Sequence, residues 1–239
     1  MNRHPSSLGA SYRYVRKLTY ERVGILRHKL VVRDPELRRP PARPIFVVGC
    51  PRSGTTLLFQ LLRCHENVRA LPGEGHVLWN AYQHPRLKGW TSDRATGADI
   101  RPGEAGYLYA AINRLAGGFR FLDKTPKNVL KIPYLAALFP DASFVLIKRD
   151  GPGTVSSLID GWKARRGISY RLPIPLHLAD LPRTRLWSFV LPQGWRQVVG
   201  TSIAEVAALQ YVDSWETALT DVRALPAGSW TVVSYEDLV

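Results

Sequence analysis

Cysteine is scarce in this chain. Two of the 239 residues are cysteine, too few for a disulfide framework, so a buried apolar core has to hold the fold together. Long apolar runs are missing too. No stretch approaches the ~18–20 residues needed to cross a bilayer, and the N-terminus lacks the apolar core of a secretory leader. These absences set the expectation of reduced thiols at Cys50 and Cys64 and of a cytoplasmic location. Acidic side chains are also few. Against 33 Lys/Arg stand 19 Asp/Glu, for a formal net charge of +14. The excess is uneven, since residues 1–44 carry 11 Lys/Arg and 3 Asp/Glu. A basic field of this kind suits a polyanionic nucleotide and speeds its capture, and it also suits an anionic membrane surface or nucleic acid. What remains, 45% hydrophobic residues over 239 positions, suffices for one α/β domain with its own core.

The most informative stretch is residues 45–58, I-F-V-V-G-C-P-R-S-G-T-T-L-L. Ile45 to Val48 reads as a buried parallel strand. After the turn at Gly49, Leu57, Leu58, Leu61 and Leu62 fall at helical spacing. Strand, glycine-containing turn and helix together put unpaired backbone N–H groups at a helix N-terminus, where the dipole favours an anion. Gly49 and Gly54 have the spacing of a phosphate loop, but Thr55 occupies the place of its lysine, and the nearest cation is Arg52 inside the loop. Ordinary ATP or GTP chemistry is thereby disfavoured.

A second strand–turn–helix unit lies at residues 143–163, S-F-V-L-I-K-R-D-G-P-G-T-V-S-S-L-I-D-G-W-K. Arg149 closes the strand, and Val155, Leu158, Ile159 and Trp162 recur at helical spacing. Around these units, residues 11–32 carry a broken apolar face (Val15, Leu18, Ile25, Leu26) among arginines, which fits a helix packed on the domain or lying on a membrane surface. Residues 1–10 read as disordered, and Asp34 to Pro44 as a linker. Helices are expected over residues 128–139 and 201–225, the latter burying Ile203, Val206, Leu209, Val212, Trp215 and Leu219, and a last strand over residues 230–233. Residues 165–197 show little periodicity and read as a long irregular insertion containing Tyr170, Trp187, Phe189 and Trp195. The βα alternation implies an α/β fold, with ligands at the carboxyl ends of the strands. Gly49, Arg149 and Tyr235 each follow a strand and so share one edge.

The loop R-S-G-T-T at Arg52–Thr56 resembles the 5′-phosphosulfate loop of sulfotransferases. Three further segments match that family in order: Arg149 with Ser157 eight residues on, F-L-D-K-T-P-K-N at Phe121–Asn128, and S-Y-E-D-L-V at Ser234–Val239. The matches cover roughly residues 44–239 and point to the Arg-Ser-Gly-Thr-Thr branch, which includes protein-tyrosine sulfotransferases and many bacterial enzymes. The resemblance implies a P-loop NTPase-like three-layer sandwich with a central parallel sheet. Residues 1–43 would form a basic helix and linker, residues 44–239 the nucleotide-binding domain, and residues 165–197 an acceptor-side insertion. It implies 3′-phosphoadenosine-5′-phosphosulfate as donor, no metal, and a hydroxyl or amine acceptor on a small molecule, glycan or lipid. Residues 11–43 would offer peripheral contact with anionic membrane, and no specific nucleic acid is expected.

Roles follow residue by residue from the same resemblance. Arg52, Ser53, Gly54, Thr55 and Thr56 would cradle the 5′-phosphosulfate, Arg149 and Ser157 would hold the 3′-phosphate, and Tyr235 would lie near adenine. Arg52 and Lys124 would offset charge at the transferring group. One cation at ~4 Å is worth about 4 kcal/mol at an effective dielectric of 20. The base is Glu74, in L-P-G-E-G-H, or His76. Three features depart from the family. Thr125 and Pro126 stand where cytosolic relatives have a catalytic histidine, Leu57 stands where many stack adenine on tryptophan, and the chain stops at Val239 where relatives continue over the 3′-phosphate. This last departure sets the expectation of a truncated gene product, a fragment or a degenerate copy, with low or absent activity unless another chain closes the site. The alternatives are a P-loop kinase-like enzyme using Asp150 for a metal, and an inactive basic binding protein. Trp187 and Trp195 give the expectation of an apolar or sugar-bearing acceptor.

Overall fold

The computed structural model describes residues 34–239 and, before them, residues 9, 11, 12, 14–16, 18, 19 and 23, each of which is helical. The expected helix over 11–32 is seen at its described residues, and Gly9 is helical where disorder was expected. The remaining part of that helix lies outside the described residues, as does the expected disorder at residues 1–8 and 10.

Five strands form one parallel sheet in the order β2–β3–β1–β4–β7. They are β1 (Ile45–Val48), β2 (Val68–Ala70), β3 (Arg120–Lys124), β4 (Ser143–Lys148) and β7 (Trp230–Ser234). The sheet buries both faces, which is why its strands read as continuous apolar runs. Phe46, Val48, Phe121, Phe144 and Leu146 point to one face. There they meet α2 (His76–Gln83), α3 (Glu104–Ala116), α4 (Ile132–Leu138) and the end of α6 (Ile203–Arg223). Val47, Leu122 and Ile147 point to the other face and pack on Leu58 and Phe59 of α1 (Thr55–Leu62). This is an α/β sandwich of three layers, as the sequence implies. A second apolar cluster joins α5 (Gly151–Lys163) and α6 to an antiparallel hairpin of β5 (Ile168–Leu176) and β6 (Thr184–Ser188).

That hairpin corrects the expectation of an irregular insertion at 165–197. Pro173 and Pro175 lie within β5 and cannot donate to the ladder, and the register shifts between Arg171 and Leu176. The prolines mask the strand pattern in the sequence. Trp187 and Trp195 are fully buried, with ring centroids 5.8 Å apart, and Trp187 also meets Trp162 at 5.2 Å. They belong to the core, which removes them as acceptor-pocket residues. Helix α6 is also turned relative to the expected face: Ala207, Gln210, Ser214, Ala218 and Val222 are buried and Val212 is exposed. Gln210 makes this possible by bonding the Trp162 indole (3.0 Å) and the carbonyls of Ser188 (2.8 Å) and Val190 (2.7 Å). The helix expected over 128–139 is a 3₁₀ turn, Pro126–Leu130, followed by α4, with Pro133 in the first turn of α4. Strand β2 was not expected. Cys50 is buried, which pushes its thiol up to about 12, whereas Cys64 is exposed. The Asp34–Pro44 linker is docked: Asn113 of α3 donates to the carbonyls of Leu37 (2.9 Å) and Arg39 (2.8 Å).

Two glycines fix the loop after β1. A Cβ on Gly49 would lie 2.6 Å from Ile147 Cγ2 and 2.9 Å from the Ile147 carbonyl. Gly54 has φ +96, and a Cβ there would lie 2.3 Å from the Tyr235 ring. Gly54→Ala should lower the unfolding free energy by about 1–3 kcal/mol. Gly73→Ala, at a position with nothing within 4 Å, should cost nothing or stabilise slightly. Paired urea titrations check this, and equal midpoints for the two variants would show that Gly54 is not constrained.

Candidate active site

The strand order reverses at β1, which pairs with β3 on one side and β4 on the other. A crevice outside the carboxyl ends of β1 and β4 is where such sheets bind ligands. A cleft of about 780 Å³ opens there. It brings together Arg52, Gly54, Thr55, Thr56, Glu74, His76, Arg149, Ser157 and Tyr235.

The loop from Gly49 to Gly54 is held from within. The Ser53 backbone N–H and hydroxyl both donate to the Cys50 carbonyl, at 3.1 and 2.7 Å. Ser53 is buried and does not line the cleft, so its side chain braces the turn. Arg52 adopts φ +74. Its Nε donates to Ser157 Oγ at 3.1 Å, and its carbonyl accepts from Arg149 Nη1 at 3.1 Å. The first intrahelical bond of α1 runs from the Leu58 N–H to the Gly54 carbonyl, and no side chain caps its N-terminus. The N–H groups of Thr55, Thr56 and Leu57 are therefore left for an anion. By contrast, Asp150 caps α5 by accepting from the Gly153 N–H at 2.6 Å. The residue that a kinase would offer to a metal is thus engaged, which together with Thr55 in place of lysine removes support for that alternative.

Arg149 is sandwiched beside Tyr235, its guanidinium 4.5 Å from the ring centroid. Its Nε is buried and, among the described residues, has no hydrogen-bond partner; the Asp150 carboxylate stands off at 3.8 Å. A buried guanidinium N–H without an acceptor is costly and fits a ligand oxygen. Tyr235 packs on Gly54 and is tied down by its backbone N–H, which donates to the Lys148 carbonyl at 2.7 Å.

Glu74 sits at the opposite wall. Its carboxylate accepts from Lys124 Nζ at 3.0 Å and contacts His76 Nε2 at 2.7 Å. Burial raises the Glu74 carboxyl, but His76 and Lys124 outweigh it and hold the group well below the usual carboxylate range. Lys124 is buried behind Glu74 and does not itself line the cleft. The segment F-L-D-K-T-P-K-N now has a physical account. The Gly75 N–H donates to Thr125 Oγ1 (2.8 Å), Thr125 donates to Asp123 (3.0 Å), and Asn128 donates to the other Asp123 oxygen (3.0 Å). A Cβ at position 75 would lie 2.4 Å from Asp123 Oδ1. Asp123 is fully buried, which pushes its carboxyl up to about 6 against these hydrogen bonds. Thr125, Asp123 and Asn128 thus position the turn that presents Glu74.

Several lining residues were not assigned to the cleft from the sequence: Tyr14, Lys127, Arg165, Arg166 and Phe189. Among 33 basic residues, nothing local marks these three as facing a cleft. Lys127 stood in the recognised segment Phe121–Asn128, and Arg165, Arg166 and Phe189 in the insertion at 165–197, without any of them being singled out for the cleft. Its ammonium donates to Tyr170 Oη at 2.8 Å, and Tyr170 in turn donates to buried Asp93.

A family model described as the sulfotransferase family matches residues 44–188, more than half of the chain. Protein-tyrosine sulfotransferase A of Caenorhabditis elegans is 32% identical over 130 residues, which cover 48% of this chain and 32% of that protein. Nodulation protein NoeE of Sinorhizobium fredii is 28% identical over 130 residues, covering 49% of this chain and 31% of that protein. The matches thus span about a third of the length of these curated relatives. Among solved structures, sulfotransferase STF9 from Mycobacterium avium superposes with a TM-score of 0.64 at 16% identity, covering 93% of this chain and 68% of that one. At that identity the likeness speaks to the fold.

Lys124→Met should move the Glu74 carboxyl up toward its ordinary range, read by carboxyl ¹³C NMR. A depressed folded pKa contributes stability that is present above the unfolded value, near ~4.3, and lost as pH falls through the folded one. Stability curves of wild type and Lys124→Met should therefore differ most above that value and converge in acid. An unmoved Glu74 resonance would show that Lys124 does not hold it.

Proposed function

The chain belongs to the sulfotransferase family, and we propose that its cleft binds 3′-phosphoadenosine-5′-phosphosulfate and directs sulfuryl transfer to a hydroxyl or amine of an acceptor. The observation that carries this is the hydrogen bond from Arg52 Nε to Ser157 Oγ. It joins the loop after β1 to α5, so two motifs 105 residues apart meet over one crevice.

The residues present fit a bis-phosphorylated nucleotide. The uncapped N-terminus of α1 and the Arg52 guanidinium would hold the 5′-phosphosulfate, with Gly54 allowing close backbone approach. Arg149 and Ser157 would take the 3′-phosphate, and the Arg149 Nε, which lacks a hydrogen-bond partner among the described residues, supports that role. Tyr235 and Leu57 would border adenine. When bound, the donor supplies an activated sulfuryl group, whose S–O bond to the 5′-phosphate breaks as the acceptor oxygen bonds to sulfur.

Glu74 takes the acceptor proton. Its two oxygens already receive Lys124 and His76, so it is a weak base, and it stays ionised across the physiological range. A weak base suffices because the acceptor O–H becomes strongly acidic only as its oxygen bonds to sulfur. Lys124 and His76 then hold the protonated or ionised carboxyl in the same place. Arg52, at the loop, offsets charge developing on the leaving phosphate.

Two measurements test this. Arg149→Ala should weaken 3′-phosphoadenosine-5′-phosphate by about tenfold or more, because a charged hydrogen bond contributes roughly 1.5–3 kcal/mol. It should weaken adenosine-5′-phosphosulfate far less. Equal losses in calorimetry would remove the 3′-phosphate assignment, and binding of neither nucleotide by wild type would favour the inactive binding protein. Glu74→Gln should leave donor affinity nearly unchanged and slow transfer by about 10²-fold or more. Unchanged turnover in that variant, with His76→Asn slowed instead, would move the base to His76.

A further inference from the structure

A second cleft of about 820 Å³ adjoins the first, and Tyr14 and Arg165 line both. Five arginines border it: Arg86, Arg165, Arg171, Arg183 and Arg185. No carboxylate lines it among the described residues. Its apolar wall includes Val15, Leu18, Leu87, Trp90 and Leu186, of which Val15 and Leu87 are exposed at 58% and 41%. A volume of this order suits a small molecule rather than a chain segment lying across the surface.

Arg165 gives the cleft its direction. It is 8% exposed and holds φ +52, a backbone state that side chains rarely adopt. Among the described residues its guanidinium forms no hydrogen bond or ion pair. Held in a strained position on the wall between two clefts, this guanidinium offers its charge to an anion entering either. Trp90, on the same cleft, also holds a positive φ, +62. Resting on the assignment of the first cleft as the donor site, we propose that the second cleft is the acceptor site. It takes a hydroxyl-bearing amphiphile with an apolar body and a carboxylate or phosphate head group. The head group lies among the arginines, the body lies along Leu87, Trp90 and Leu186, and the hydroxyl enters the first cleft past Tyr14 and Arg165 toward Glu74.

The probe is octyl phosphate, which has the head group and body but no hydroxyl. Octyl β-glucoside serves as the neutral counterpart, and hexaglutamate as an acidic chain without an apolar body. Calorimetry on the whole protein should show octyl phosphate binding at least about tenfold more tightly than either. The double variant Arg171→Ala, Arg185→Ala should weaken octyl phosphate by about tenfold or more. The same variant should keep its affinity for 3′-phosphoadenosine-5′-phosphate, because neither arginine lines the first cleft. Saturating that nucleotide should not displace the probe. Equal affinity for octyl β-glucoside, indifference to the double substitution, or displacement by the nucleotide would each overturn the site. Tighter binding of hexaglutamate would replace the amphiphile with an acidic polypeptide. Octyl phosphate binding as expected in a protein that binds no nucleotide would overturn the acceptor role through failure of the donor assignment, and leave the cleft's ligand class standing.

Discussion

The parallel pairing of β1 with β4 sets everything else at the site. Its register places Val48 against Leu146, so the chain leaves β1 at Gly49 just where β4 continues through Ile147 to Arg149. The strands come so close there that Gly49 has no room for a side chain. The loop that follows is consequently pressed toward the end of β4, within reach of the Arg149 guanidinium, which bonds the Arg52 carbonyl. Shifting this register by one residue would turn Phe46 and Val48 out of the larger core and separate the two arginines. Pairing of β4 with β7 then brings Tyr235 over Gly54, and the cleft is closed on that side by the same sheet that opens it.

Local constraints were readable in the sequence, and long-range ones were not. Gly49, Arg52 and Gly54 could be assigned because a strand–turn–helix unit leaves few places where a backbone N–H can face an anion. Arg149 and Ser157 came instead from the resemblance, as an arginine at a strand end and a serine eight residues on. The support for Glu74 could not be read. It depends on Thr125 reaching the Gly75 N–H across 50 residues of chain, and neither residue type announces that contact. Trp187 and Trp195 misled because aromatic residues serve equally in cores and in pockets. Their indole N–H groups find the Val190 and Trp90 carbonyls, both at 2.8 Å, and with those bonds made nothing holds them at the surface. The prolines of β5 hid a strand that tertiary packing on Leu158, Trp162 and Ile203 nonetheless secures.

Charge at the site is arranged as an imbalance. The first cleft is lined by Arg52, Lys127, Arg149, Arg165 and Arg166, with Glu74 as its single carboxylate among the described residues. Lys127 is turned inward onto Tyr170 and so is partly satisfied by the buried Asp93 network. Burial and the neighbouring Lys127 charge also push His84, which packs on the same Tyr170 ring, down to about 4. Beneath the cleft wall a buried anion answers Lys127, whereas Arg52 and Arg149 are bonded to the neutral Ser157 hydroxyl and Arg52 carbonyl, with only the Asp150 carboxylate standing off at 3.8 Å. A folded chain tolerates such self-repulsion only at a cost in stability, and an anionic ligand relieves it.

Backbone strain falls in the same places. Five non-glycine residues have positive φ among the described residues, and Arg52, Trp90, Arg165 and Phe189 each line at least one of the two clefts. A residue held this way costs of order 1–3 kcal/mol and persists where its surroundings over-determine it. Phe189 shows what does so: its ring fills the space that side chains at Gly161 and Gly167 would occupy, locking the end of α5 against β6. The turn at Arg165 lies between those two glycines, so its strained backbone is fixed by the same ring. Arg165 is in this way aimed by the apolar core rather than by any polar partner. That leaves its guanidinium on the wall shared by the two clefts, where a charge arriving from either would meet it.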